Sequence, residues 1–264
     1  MKIVVAIKQV PLRDAPLKLD AAGEWIDESD LSYEINEPDA YALEEALQLR
    51  EKNSEGEPGE VVVVCAGPEE ASQTIREALA KGADRAIHIE GDVAWLDSLA
   101  TAKLLATVVK EESPDLVLTG LQSDDLGAGQ TGVVLAELLG LPHSTIIMQV
   151  EPLTNEGDGG GIRVKRELED GWFQHIELPL PAVLTIQSGG NKLRYATLMG
   201  IKKARRKEVR TVEAEELDDA PTPSIVRRNV YAPPKSKAGQ ILEGDAKQAA
   251  AQLIEKLKFE ARVL

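Results

Sequence analysis

The chain has 264 residues, 43% hydrophobic and 28% charged, a globular composition and neither a disordered nor a collagen-like one. Thirty Lys and Arg stand against forty-five Asp and Glu, and the net charge of −15 opposes binding to nucleic-acid phosphates or anionic membranes. One Cys and three scattered His (His88, His143, His175) leave no internal disulfide and no metal-ligand spacing, as expected of a chain in a reducing cytoplasm.

The N-terminal stretch is apolar only briefly before Pro11 and charges, so it fits neither a secretory nor a transit peptide. No apolar run approaches the roughly 20 residues that membrane insertion needs. In chain order, Ile3–Ile7 reads as a buried strand. A helix follows over Asn36–Lys52, with Asn36 and Asp39 as a capping signal and Ala40, Leu43 and Leu47 on one face. Val61–Cys65 is a second strand and Pro68–Lys81 a second helix, closed by Gly82. Arg85–Ile89 is a third strand, and Leu96, Ala100, Leu104 and Val108 recur at helical spacing. Leu116–Thr119 is a fourth strand, and a helix from about Gly129 to Leu139 stops at Gly140 and Pro142. Strands alternating with crossover helices predict an α/β fold with a doubly wound, mostly parallel sheet.

The pattern then changes to an antiparallel excursion. Ile146–Val150, Ile162–Leu168 and Trp172–Glu177 alternate as strands, with turn signals at Asn155–Gly161 and Asp170-Gly171. Ala182–Ile186 is a further buried strand, and a short helix lies near Met199–Arg205. The polar stretch containing Pro221, Pro223, Pro233 and Pro234 reads as an extended arm, ending in an amphipathic helix from about Asp245 to Phe259. This divides the chain into an α/β unit at 1–190, a loop and basic helix at 191–207, and an arm with a helix at 208–264.

Gly127-Ala128-Gly129-Gln130-Thr131-Gly132 spells the glycine pattern of a dinucleotide turn, but seven residues, Gly120 to Leu126, separate it from the strand end. Flexible glycines ahead of a helix N-terminus can still cradle a phosphate, or can merely make turns. Ala6–Gln9, Cys65–Pro68 and Gly120–Ser123 should share the carboxyl edge of the sheet with the helix start at Asn36–Asp39, a place where an adenine nucleotide could bind. Cys65, after four Val, reads as a small buried hydrophobe. Asp124-Asp125 reads as a solvated loop tip before it reads as a Mg²⁺ site. Walker, nucleophile-elbow and H-E-x-x-H signatures are missing, and no catalytic residue set emerges. The basic cluster Lys202–Lys207 can steer an acidic partner or simply be a solvated helix face, and Leu198 just before it reads in isolation as a core residue.

Taken together, Val4–Pro11, Ile35–Glu51, Val61–Pro68, Glu77–Ile89, Leu116–Asp125 and Gly129–Gly140 resemble, in order, the β subunit of an electron transfer flavoprotein. Val164–Thr185 resembles that family's signature, and Arg194–Lys207 its recognition loop and basic helix. The resemblance implies an adenine-nucleotide-binding, Rossmann-like domain and an electron carrier that turns over no substrate of its own. It implies a heterodimer with an α subunit that holds FAD mainly on α, and AMP within β. Electrons would pass from dehydrogenases, such as acyl-CoA dehydrogenases, to an acceptor such as a quinone oxidoreductase. Some members instead hold a second FAD in β and bifurcate electrons from NADH.

By the same resemblance, the nucleotide contacts are Ala6, Asn36, Glu37, Pro38, Asp39, Ala66, Gly120, Leu121, Gln122, Ser123, Asp124, Asp125, Leu126, Gly127, Ala128, Gly129, Gln130 and Thr131. Asp39 and Ala66 stand where animal members have Cys, so contacts there are expected through backbone. Arg13 and Pro38 replace aromatic residues near the flavin. Tyr195, Leu198 and Met199 match the partner-docking loop, with Leu198 its apolar anchor, and Glu167 matches an acidic residue that latches the flavin domain of α.

Overall fold

The computed structural model describes residues 1–52, 59–153, 160–217, 222–226, 228–233 and 239–264. Most of the Asn155–Gly161 turn, together with Pro221 and Pro234, lies outside the described residues.

Continuous β-branched runs need cover on both faces, and they form the centre of one sheet. Strands β1 (Lys2–Ile7), β2 (Gln9–Pro11) and β3 (Tyr33–Ile35) precede helix α1 (Glu37–Lys52); β4 (Glu60–Gly67), α2 (Ala71–Lys81), β5 (Arg85–Glu90), α3 (Ser98–Glu112), β6 (Leu116–Gly120) and α4 (Thr131–Leu139) follow. The second part holds β7 (His143–Leu153), β8 (Gly161–Glu167), β9 (Phe173–Pro179), β10 (Ala182–Ile186), α5 (Leu198–Ala204), β11 (Val209–Glu213) and α6 (Ala246–Phe259). The main sheet runs β11-β5-β4-β1-β6-β10-β7-β8-β9, and β1 lies parallel to both β4 and β6. The chain leaves β1 toward β4 and β5 on one side and returns to β6 and β10 on the other. The switch point between β1 and β6 therefore opens a crevice at their carboxyl ends.

Alternate residues of each strand face opposite layers. Ile3, Val5 and Val61 pack with Leu43 and Leu47 of α1 and Ile75 of α2, while Val4, Val62 and Val117 pack with Leu104 and Val108 of α3 and Leu135 of α4. Cys65 is fully buried in the first layer, and burial pushes its thiol up to about 12, with the nearby Asp39 charge adding to the shift.

Three elements differ from the sequence expectation. The excursion does not leave the sheet: β7 begins parallel to β10 at His143 and Ser144 and then pairs antiparallel with β8, so β7, β8 and β9 extend the same nine strands. Val209–Glu213, read as part of the polar arm, is a strand parallel to β5 at the opposite edge. The strand is half-exposed, as suits an edge: Val209 packs against the α1–α2 layer and Val212 against the α3 layer, while Arg210, Thr211 and Glu213 are exposed. The short antiparallel pair β2–β3 carries too few residues to show a period.

Helix boundaries shift by a few residues for local reasons. Asp97 caps α3, its carboxylate accepting from Ala100 N at 2.8 Å, so Leu96 lies before the helix. Pro68–Glu70 form a turn ahead of α2. Asn36, expected as the cap of α1, uses its side chain elsewhere. Among the described residues no helix is long and apolar enough to cross a membrane.

Candidate nucleotide site

The ends of β1, β4 and β6 bring Ala6, Ala66 and Gly120 together as the floor of a cavity of about 510 Å³, within the usual range for small-ligand sites. The first turn of α1 places the 6% exposed Asp39 beside them. Asp39 Oδ2 accepts from Lys8 N at 2.8 Å and Oδ1 from Gly120 N at 2.9 Å, so one carboxylate joins the ends of two strands to a helix start. Burial pushes the Asp39 carboxyl up to about 7, against the pull of those N–H groups and of the Lys8 ammonium. Asn36 secures the next loop: Nδ2 donates to Gln122 O, and Oδ1 accepts from Asp124 N, each at 2.9 Å. Lys8 Nζ donates to Asp125 at 2.6 and 2.7 Å. Burial works against ionisation of Asp125, but the Lys8 ammonium, with hydrogen bonds from Ser123 and the Leu126 N–H, outweighs it and holds the carboxyl below its ordinary value.

Gly127 and Gly129 turn the loop through the left-handed region, with φ of +62° and +63°, a conformation that side chains disfavour. Gln130 then opens α4 without a side-chain cap, so the first-turn N–H groups remain available to an acceptor. At Gly132 a Cβ would come within 2.5 Å of Thr119 Oγ1 and 2.6 Å of Thr185 Cγ2, so only glycine lets α4 sit this close to the sheet.

The remaining wall and roof come from residues that sequence reasoning missed. The start of α3 contributes Leu96, Asp97, Ser98 and Thr101, and the segment between β2 and β3 contributes Trp25, Ile26 and Glu28. Trp25 meets Trp95 with ring centroids 5.2 Å apart and planes tilted by 44°, which joins the segment between β2 and β3 to the one between β5 and α3. Trp25 Nε1 and Tyr33 Oη both donate to Glu28 at 2.8 Å, and burial followed by that carboxylate raises the Tyr33 phenol well above its ordinary pKa. Asp97 Oδ2 also accepts from Ser224 N at 2.6 Å and Ile225 N at 3.0 Å, so the chain after β11 returns to this rim. The only local signal for any of these was Asp97-Ser98, which spells a helix cap.

Of the expected contacts, Glu37, Pro38, Asp124 and Gly127 do not line the cavity, whereas Ala6, Asn36, Asp39, Ala66, Leu121–Ser123, Asp125, Leu126 and Ala128–Thr131 do, with Gly120. Glu37 pairs with the exposed Arg13 at 2.7 Å, and Pro38 lies under Gly120. Among the described residues Lys8 is the sole cation on the lining, facing Glu28, Asp39, Glu70, Asp97 and Asp125. Glu167 ends β8, where Gln187 Nε2 donates to it at 3.4 Å. Tyr195 and Leu198 are 92% and 82% exposed, which places Leu198 outside the core that its residue type alone suggests.

A doubly wound α/β protein with a crevice at the strand switch point, glycine-turned on one side, belongs to the broad class of open-sheet folds whose ligand sites lie at that point. Comparison with known proteins narrows this. The family model described as "Electron transfer flavoprotein domain" matches residues 24–217. The chain is 39% identical to "Electron transfer flavoprotein subunit beta" of Methylophilus methylotrophus, covering 97% of each chain. It is 36% identical to the protein of that name in Bacillus subtilis, over 93% of this chain and 90% of the other. With that of Mus musculus it shares 34% identity over 100% and 99%. The chain belongs to the electron transfer flavoprotein β-subunit family.

Proposed function

We propose that this chain pairs with an electron transfer flavoprotein α subunit, holds AMP in its own cavity, and helps to place a FAD carried mainly by α. The pair shuttles electrons in the cytoplasm from dehydrogenases, such as acyl-CoA dehydrogenases, to an acceptor such as a quinone oxidoreductase. The observation that carries the reading is the cavity itself, with its glycine turns, uncapped α4 N-terminus and lone, already paired cation. A single phosphate suits backbone N–H groups there, whereas a pyrophosphate brings a second phosphate that the carboxylate-rich lining does not favour. This supports AMP over a second FAD.

Partnership with α is supported by surface that this chain leaves uncovered. Helix α6 begins with an Asp245–Gln248 capping box yet buries no residue; Leu253, Ile254 and Phe259 are exposed, as are Ile225, Tyr231 and Ile241 ahead of it. Bound flavin supplies the redox chemistry. The residues of this chain supply position and charge: Arg13, on the surface beside Glu37, can attract the negative charge of a reduced flavin, and Pro38 shapes the adjoining helix start.

The test is purification of this chain with and without α, followed by extraction. The expected result is one FAD and one AMP per heterodimer, with flavin colour only when both chains are present. Two FAD per heterodimer would overturn the AMP assignment, and a colourless assembled complex the whole reading.

Glu167 at the end of β8 is the proposed latch for the flavin domain of α. A surface pair worth about 0 to 1 kcal/mol can close and release. Glu167→Ala is expected to shift the population of domain orientations in small-angle scattering of the heterodimer; superimposable curves would remove the latch.

A further inference from the structure

The exposed apolar group of Tyr195, Leu198, Met199 and Ile201 stands on a loop and on the seven-residue helix α5. So short a helix does not hold its own shape in water. Its order comes from contacts made on either side. Downstream, Thr197 Oγ1 accepts from Gly200 N at 3.0 Å, and Gly200 presses against the Ala80 carbonyl of α2 so closely that a Cβ would strike it. Arg76 Nη1 donates to Ala204 O at 2.7 Å and Lys207 O at 2.9 Å, which fixes the far end.

Upstream, the anchor is Arg194, the residue before the apolar group. Its Nε and Nη2 donate to the two carboxylate oxygens of Glu44 at 2.7 and 3.0 Å, and its Nη1 and Nη2 donate to those of Glu51 at 2.7 and 3.1 Å. The Arg194 backbone N also donates to Glu44 at 3.3 Å. Asn191 Nδ2 adds bonds to Glu45 at 3.0 Å and to the Tyr41 carbonyl at 3.2 Å. Residues 41, 44, 45 and 51 are all on α1, so the loop is tied along a helix that is itself packed on the sheet. Glu44 is only 5% exposed, and a buried carboxylate of that kind constrains its partner's geometry more strongly than a surface pair does.

We propose that Arg194 is a positioning residue for partner docking. Forked between Glu44 and Glu51, it holds the Tyr195–Leu198–Met199 surface in the shape that a dehydrogenase face with an apolar pocket and an acidic rim recognises. The acidic rim follows from Lys202, Lys203, Arg205 and Arg206, which are exposed on the last turn of α5 and just after it, next to the apolar group on a chain that is otherwise acidic. This inference rests on the electron-carrier reading above. Arg194 touches neither cofactor nor partner in it; it acts through the loop, by sparing the complex the entropy of ordering that loop on contact.

The experiment uses the heterodimer with α and a dehydrogenase that reduces the parent, in the first instance an acyl-CoA dehydrogenase with its acyl-CoA. Arg194→Gln is expected to raise KM for the flavoprotein by about three- to tenfold, with kcat within about twofold and FAD per heterodimer unchanged. Arg194→Lys keeps the charge but not the fork, and should fall between Gln and parent. Hydrogen exchange should accelerate at 195–201 in Arg194→Gln and stay at parent rates in β1, β4 and β6. Glu51→Gln removes only the exposed half of the fork, so it tests the idea if Arg194→Gln fails to assemble; its KM should also rise. Parent KM and parent exchange in these variants would overturn the proposal, as would activity lost in proportion to FAD. Leu198→Ala separates the two levels, with KM expected to rise about tenfold. If it does so while Arg194→Gln matches parent, only the positioning role falls. If Leu198→Ala matches parent, the docking surface falls and the positioning role with it.

Discussion

Asp39→Ala is expected to destabilise the protein by about 2–6 kcal/mol, because it leaves Lys8 N and Gly120 N without their acceptor where water reaches them poorly, at about 1–3 kcal/mol for each orphaned donor. The pH dependence of the parent should expose the same residue. With its pKa pushed from 3.8 to about 7 in the folded state, Asp39 keeps a proton that the unfolded chain has already released. Its contribution to stability is whole below about pH 3.8 and declines by about 1.4 kcal/mol per pH unit as the pH rises, until the folded-state group ionises near 7. The neighbouring Cys65 thiol feels its charge and, pushed up to about 12, stays neutral through this window. Asp39→Asn puts an amide in place of the carboxyl, uncharged at every pH, so it removes the slope while its amide oxygen replaces only one of the two acceptors. Urea unfolding of parent and Asp39→Asn at several pH values between 5 and 8 checks this. The difference between the two should change with pH and level off above 7; a constant difference would show that Asp39 is ionised throughout.

The parts of this arrangement that were legible in the sequence are those written in a short span. Val61–Val64 and Leu116–Leu118 form buried central strands because a continuous apolar run of that length has no other stable environment, and strand ends in such a sheet must meet at one edge. That alone brought Ala6, Ala66, Gly120 and Asn36 to one place. What escaped notice depends on partners distant in the chain. The Trp25–Trp95 contact spans seventy residues, and neither tryptophan sits in a pattern that points to the other. Strand β11 shows no period of two in its five residues, and only the edge of β5 makes it a strand. Asn36 has the right identity and position for a helix cap, but the loop after β6 offers it two backbone partners, and the tertiary contact takes precedence over the local one. Arg194 and Glu44, 150 positions apart, are ordinary charged residues until the fold brings them together.

Gly120→Ala is expected to abolish the proposed AMP binding as well as destabilise the fold. A Cβ at this position would fall on the Asp39 carboxylate and come within 2.8 Å of both Asp39 N and Pro38 Cβ. A flexible side chain could swing aside, but two of these neighbours belong to the rigid first turn of α1, so the helix start itself must retreat. Overpacking of this kind costs about 1–3 kcal/mol. The retreat also pulls Asp39 from Lys8 N and Gly120 N and disturbs the Asn36 bonds that hold the 122–124 loop. The two substitutions therefore share one mechanism. Gly120→Ala and Asp39→Ala together should cost less than the sum of their separate effects, since each breaks the Gly120 N to Asp39 bond and removing the carboxylate relieves one of the clashes. Thermal unfolding of the single and double variants, with AMP per chain measured after extraction, checks both halves. Strict additivity would show that the clash is absorbed elsewhere, and parent-level AMP with an unshifted Tm in Gly120→Ala would show that α1 does not need to lie this close to β6.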